Sequence, residues 1–280
     1  MRKQALILGT LLLLLLPLAA PASDQQCEHS QPRNLQLDMA GVKTVVFEIG
    51  ANDLDVRAVA TPGNSVEGRA CASRESDLPR LVLSQHKSGD RLVVTAGREG
   101  KFGGISLFGS HYAYMKLQAS VPDGVAVQLK VGSGDASVDG ARNVRIDTGS
   151  GDVRATRVRG ELAASLGSGD LEASDIGSLD LDSVGSGDAA IRNVGGASRI
   201  GSIGSGDVSI RSTRGPVEVG SVGSGDLELE DIGGNITVGS IGSGDIEVDG
   251  ARGDLTVRSA GSGDVDHRGV TGRVELPRKN

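Results

Sequence analysis

Apolar residues in the second half of the chain recur in columns set by a repeating tetrad. Eight copies of Gly-Ser-Gly-Asp end at Asp135, Asp152, Asp170, Asp188, Asp207, Asp226, Asp245 and Asp264, in steps of 17, 18, 18, 19, 19, 19 and 19 residues. A period of this length predicts a solenoid. One residue after each aspartate stand Ala136, Val153, Leu171, Ala189, Val208, Leu227, Ile246 and Val265. Three after it stand Val138, Ala155, Ala173, Ile191, Ile210, Leu229 and Val248, with His267 breaking the column in the last copy. The position between is polar in Arg154, Glu172, Ser209, Glu228 and Glu247, the alternation of a strand with one wet face. A third apolar column lies six after the aspartate, in Val158, Ile176, Val194 and Ile232.

Eight residues after the aspartate a second turn is expected. Gly160, Gly196, Gly215, Gly234, Gly253 and Gly272 stand there, with Asn143 and Ser178 in the other two copies. Glycine with asparagine as its substitute predicts a positive φ at this offset. A further strand follows, as in Val217 and Val219 or Ile236 and Val238. Each repeat is therefore two strands and two turns, and its apolar face is covered only when neighbours stack on it. The expected fold is all-β: a single-stranded parallel β-helix, right-handed by the crossover preference, with a small N-terminal β-sheet region. A left-handed hexapeptide helix fits less well, because offsets of one, three and six do not recur every six residues.

The pattern changes near Pro122-Asp123-Gly124. Before it, the strands read as antiparallel in style. Thr44 to Ile49 forms one strand, Gly50-Ala51-Asn52-Asp53 a turn, and Leu54, Val56 and Ala58 the inward face of the next. Leu81 to Gln85 and Leu92 to Ala96 flank Ser88-Gly89-Asp90 as a hairpin. Tyr114 to Val121 alternates, with Met115, Leu117, Ala119 and Val121 on one face.

The first residues carry Arg2 and Lys3, an apolar run from Ala5 to Leu16, and the small residues Ala20-Pro21-Ala22. That order reads as a secretory signal peptide cleaved before Ser23, the run being too short for a membrane span. The domain reading is thus 1–22 signal peptide, 23–121 N-terminal β-sheet and capping region, 122–276 solenoid and 277–280 basic tail. No transmembrane segment is expected in the mature chain, and the expected location is periplasmic or secreted. Export makes a disulfide between the two cysteines, Cys27 and Cys71, the favoured reading over two buried thiols. The net charge of -7, with arginines interspersed among carboxylates, argues against a nucleic-acid partner.

The aspartate column is the sharpest candidate for chemistry, since stacking sets carboxylates about 4.8 Å apart. Such a row invites calcium, but no second aspartate recurs half a coil away, and calcium takes six to eight oxygens. The competing reading is that each aspartate accepts hydrogen bonds from amides of its own glycine turn. Serines at 165, 183, 202, 221, 240 and 259 suggest a hydroxyl ladder, without the recurring base that a nucleophile needs. Arg142, Arg159, Arg214 and Arg252 share the column seven after the aspartate, a solvated row or an edge for anionic glycans or lipid headgroups. Phe102, Phe108, Tyr112 and Tyr114 are four of the five aromatics. They form either a contact surface or a cap that keeps water out of the solenoid end. No cofactor motif is present.

The signal peptide, the Val121-Pro122-Asp123-Gly124 transition, and Leu/Val-x-Val strands alternating with Gly-Ser-Gly-Asp resemble a bacterial exported β-strand-repeat family related to adhesin head domains. The resemblance covers about residues 42–276. It implies an exported or envelope-associated β-helix with no catalytic motif to carry over. The expected function is a non-enzymatic structural or adhesin-like binding module whose partner is an envelope protein or glycan. The alternatives are a β-helical polysaccharide-degrading enzyme and a calcium-organised rod.

Overall fold

The computed structural model describes residues 27–100 and 111–278. Two 12-stranded sheets enclose one continuous core that runs from Leu37 to Val257. Every coil from Asp135 onward adds one parallel strand to each sheet, with the apolar columns in register: Val153 lies beside Leu171, Leu171 beside Ala189, and Ala189 beside Val208. The solenoid is therefore a sandwich of parallel sheets whose strands alternate between the two faces.

The spacing of one, three and six has a single backbone cause. The residue five after each aspartate has positive φ in all eight coils: Gly140, Arg157, Asp175, Asn193, Ser212, Asp231, Gly250 and Gly269. One left-handed residue turns the chain so that the next side chain, instead of this one, points inward. Glycine, asparagine and aspartate fill six of these eight positions, the types that adopt this region most readily. The positive φ expected eight after the aspartate is not found there. The glycines at that offset answer a different need: a Cβ on Gly215 would press on the Gly196 carbonyl.

The growth of the repeat from 17 to 19 residues also has a structural account. The second strand buries Val144, Ile146 and Thr148 in the first coil but Leu162, Ala164 and Leu166 in the second, one residue later relative to the aspartate. That coil gains one corner residue. The third coil loses it and inserts a bulge, seen where Ala164 pairs with Leu181 but Ser165 pairs with Ser183. From Asp188 on, coils keep both.

Upstream, the strands are β1 (His29–Gln36), β2 (Thr44–Gly50), β3 (Asp53–Val59), β4 (Ser65–Ala72), β5 (Leu81–Ser88), β6 (Arg91–Arg98) and β7 (Ala113–Pro122), followed by β8 (Ala126–Val131) and β9 (Ala136–Asp139). The hairpin expected between Thr44–Ile49 and Leu54–Ala58 does not form. β2 and β3 lie in opposite sheets, where β2 pairs in parallel with β6 and β8, and β3 with β7 and β9. They make a coil of the same kind as the repeats. β6 and β7, though later in sequence, form the next coil outward, so the chain passes back across β2–β3 to reach β8. The β5–β6 pair is antiparallel as the Ser88-Gly89-Asp90 signal predicts.

β1, β4 and β5 run antiparallel on the outer edges of this end. A 3₁₀ turn, Glu75–Arg80, joins β4 to β5 and buries Asp77 near Arg74, Arg80 and Arg98, at 3.3, 3.6 and 3.7 Å. Arg33 of β1 donates to the Leu81 and Leu78 carbonyls at 2.8 and 2.6 Å. These contacts close the core against water. The Cys27 and Cys71 sulfurs are bonded, with Cα atoms 5.4 Å apart, and tie the start of the described chain to β4. Replacing both by alanine is expected to cost about 3 kcal/mol in urea unfolding. An unchanged midpoint would mean that the β1–β4 ladder holds this end unaided.

Candidate functional site

The aspartates line one corner of the stack, exposed to solvent. Each carboxylate from Asp135 to Asp245 reaches along the stack and accepts the backbone N–H of the next aspartate. The distances are 3.2 Å from Asp152 to Asp135, 3.0 Å from Asp170 to Asp152, and 2.8 Å from Asp188 to Asp170, continuing at 2.8 Å to the Asp264–Asp245 pair. The expectation that each accepts from its own turn is corrected by this geometry. The coils approach so closely that the next coil's amide is the nearer donor.

Glycine makes that approach feasible. A Cβ on Gly151, Gly169, Gly187, Gly206, Gly225, Gly244 or Gly263 would lie well under 3.0 Å from the carbonyl oxygen of the equivalent glycine one coil back. Their φ values are not positive, so closeness, not conformation, excludes other residues here.

The ladder has a ninth rung that the repeat count missed. Asp53 Oδ1 accepts the Asp135 N–H at 3.3 Å, and Gly50-Ala51-Asn52-Asp53 occupies the place of a Gly-Ser-Gly-Asp. The signal was the Gly-x-x-Asp frame followed by Leu54 and Val56 at the two inward offsets. It was hidden because this copy lies 82 residues before its neighbour in the stack.

Replacing Asp226 by alanine removes the acceptor for the Asp245 amide, now bonded at 2.8 Å, and is expected to cost about 1 kcal/mol. Asp226→Asn keeps an acceptor oxygen and should cost less. Equal losses in urea midpoint would show that the carboxylates do not brace the stack. Among the described residues, no group of three or more His, Cys, Asp or Glu side chains is arranged to hold a metal ion.

Beside the ladder, the outer face of the same sheet carries ion pairs between coils. Glu172 lies between Arg154 and Arg192, at 2.5 and 2.6 Å. Arg211 meets Glu228 and Glu230 at 3.1 and 3.2 Å, and Arg157 meets Asp139. The hydrogen bond and charge of Arg154, with Arg192 adding, hold the Glu172 carboxyl below its ordinary range. Such exposed pairs contribute little individually, but they leave the face patterned in alternating charge.

Two open troughs run along the walls. One, of about 650 Å³, follows the ladder from Asp53 to Asp188 with Arg154, Glu172 and Arg192 on its far side. The other, of about 880 Å³, follows the left-handed column, lined by Asn193, Ser212 and Asp231 with Arg214 and Arg252. The arginine column does not act as one group. Arg159 is bound to Asp123 at 3.0 Å, whereas Arg214 and Arg252 reach this second trough.

The serine column stacks in register, Ser183 beside Ser202 and Ser202 beside Ser221. Its hydroxyls do not form the expected ladder. Ser165 donates to Asp182 at 3.5 Å and Ser259 to the Gly239 carbonyl at 3.4 Å. Strands about 4.8 Å apart hold in-register hydroxyls beyond mutual bonding distance.

Of the aromatic segment, Phe102 and Phe108 lie outside the described residues. Tyr112 and Tyr114 stand at the start of β7, ring centroids 5.9 Å apart, with Lys116 Nζ 6.0 Å from the Tyr114 centroid. The Tyr112 hydroxyl accepts the Glu28 N–H at 2.9 Å. The pair thus sits at the capped end beside the disulfide.

This architecture has relatives among solved structures. A candidate lipid-binding protein from Parabacteroides distasonis matches with a TM-score of 0.51 at 16% identity, over 88% of this chain and 97% of that one. A candidate adhesin from the same organism matches with a TM-score of 0.45 at 13% identity, over 86% and 97% of the two chains. A candidate adhesin from Bacteroides fragilis matches with a TM-score of 0.42 at 12% identity, over 88% and 96%. No curated protein matches. At such identities only the fold is shared. The sequence itself matches the model of one family over residues 46–219, from β2 through the solenoid's middle coils. Having the family's pattern across both the upstream coil and the repeats, the chain belongs to the Toastrack DUF4097 family.

Proposed function

We propose that the chain is an exported, non-enzymatic, adhesin-like module of the bacterial envelope that binds an envelope protein or glycan. One observation carries the reading: between Val131 and Val274 no connection between strands exceeds four residues. No loop of that length rises to enclose either trough. Hydrolysis or elimination of a polysaccharide needs an acid and a base converging on one bond inside a cleft. The walls here offer long, open, repetitive surfaces, which suit binding of an extended partner. The proposed contact residues are Tyr112 and Tyr114, with Phe102 and Phe108 of the same segment; rings beside a lysine suit stacking on sugar faces.

The test is a panel of bacterial surface polysaccharides and envelope fractions, read both for binding by calorimetry or pull-down and for release of new chain ends. Binding without cleavage is expected, weakened about tenfold in a Tyr112→Ala/Tyr114→Ala protein. Release of chain ends would favour the polysaccharide-degrading alternative. Failure to retain any component of the panel would remove the binding role.

A further inference from the structure

The two ends of the solenoid are built differently. At the N-terminal end, antiparallel β1, β4 and β5 cover the outer coil. At the other end the strand Val265–Val270 is the last in its sheet; the one described strand after it, Val274–Glu275, pairs in the opposite sheet. In every earlier coil the residue after the aspartate donates its N–H to the carbonyl of the next coil's aspartate. Leu227 reaches Asp245 at 2.9 Å and Ile246 reaches Asp264 at 3.0 Å. The series stops at Val265. By the alternation of a parallel ladder, Val265 and His267 turn their N–H and C=O groups to the open edge. Val265, Val270 and Val274 are only partly buried there. A bare edge of this kind is a template for another strand.

The edge is complementary to itself. Val265-Asp266-His267-Arg268-Gly269-Val270, set antiparallel against a second copy and centred on His267, pairs His267 with its equivalent across the two-fold axis. The same register sets Asp266 opposite Arg268 of the second copy, twice. Both side chains are on the outer face and exposed, and Arg268 is held there by Asp249 of the coil behind, at 2.9 Å. The centred pair is the kind that exchanges both backbone hydrogen bonds, which requires His267 to present its N–H and C=O outward, as it does. A strand sliding by one residue loses both charge pairs.

We propose that the C-terminal coils of two copies join tail to tail through this strand, making a symmetric dimer in which the sheet continues from one solenoid into the other. The contact is small, which places the dimer among weak interfaces.

The test is sedimentation velocity of the purified protein from about 1 μM to about 1 mM, the span of weak association. A monomer–dimer equilibrium is expected. His267→Pro removes an N–H that faces the open edge and leaves the bonds to Ile246–Ala251 in place; it should raise the dissociation constant at least tenfold with an unchanged melting temperature. Asp266→Arg and Arg268→Asp should each be monomeric alone, because like charges then face each other. Mixed together they should form a heterodimer, since the two arginines carried by the first variant's edge then face the two aspartates carried by the second's. A protein that stays monomeric up to about 1 mM, a dimer that survives His267→Pro, or a mixture that fails to pair would each overturn the proposal.

Discussion

Gly206→Ala, which stands for any glycine of this ladder, is expected to cost more than about 3 kcal/mol and to lower the melting temperature by roughly 10 °C. The new Cβ would lie well under 3.0 Å from the Gly187 carbonyl oxygen. That oxygen belongs to backbone held by ladder bonds above and below, so it cannot move aside without parting two coils. Two other positions serve as controls. Ser205 is exposed, and Ser205→Ala should change stability by less than about 0.5 kcal/mol. Gly250 has φ of 85° with its nearest neighbour 3.6 Å from a built Cβ. Gly250→Ala should therefore cost only the left-handed penalty of about 1 kcal/mol, and Gly250→Asn less. Thermal melts of the four proteins separate the two reasons for glycine. A Gly206→Ala protein that melts with the parent would show that the coils are not in the close contact described.

Asn52→Ala is expected to cost roughly 3 kcal/mol, as three side-chain hydrogen bonds are lost together. Asn52 is 6% exposed, and its amide donates to the carbonyls of Ile49 and Ala96, each at 2.8 Å. Its oxygen accepts the Met115 N–H at 2.8 Å. One side chain thus joins the end of β2, the end of β6 and the start of β7, where no turn amide is available to do so. Alanine takes the side-chain partner from the Ala96 carbonyl and the Met115 N–H, each worth about 1 kcal/mol or more, while the Ile49 carbonyl keeps the backbone N–H of residue 52, at 3.0 Å. Aspartate keeps the acceptor but sets a buried carboxylate oxygen against the Ile49 and Ala96 carbonyls, so Asn52→Asp should cost at least as much as alanine. Urea unfolding reads the order, and an alanine variant within about 0.5 kcal/mol of the parent would mean water takes over all three bonds.

Asn52 also shows where reading by pattern stopped. It stands in the Gly-x-x-Asp frame, yet the frame alone suggests a hairpin turn between two strands. Only the stack reveals that Asp53 continues the ladder and that Asn52 replaces a glycine because its neighbour there is the inserted β6–β7 coil. A local motif cannot report which strand is adjacent when that strand lies far along the chain.

The offsets were legible for a physical reason. A side chain in a coil has only two environments, core or water, and the coils are in register, so burial repeats with the period and prints itself as apolar columns. The tetrad, the two strands per coil, the all-β class and the obligatory stacking follow from those columns. The left-handed residue five after the aspartate was not legible, since arginine, serine, asparagine, aspartate and glycine all occupy it and the backbone there is fixed by the coil around it. The glycines were visible but their reason was not: freedom of φ and lack of room select the same residue, and only the distance to the coil behind tells them apart. The same holds for the aspartates of the repeats, whose partner is an amide 17 to 19 residues away. What the sequence by itself determined is what each residue needs from its own coil, namely burial, alternation and a turn. What only the tertiary structure decided is what each coil needs from its neighbours: the order in which coils stack, which groups bond between them, and which edge is left open at the end.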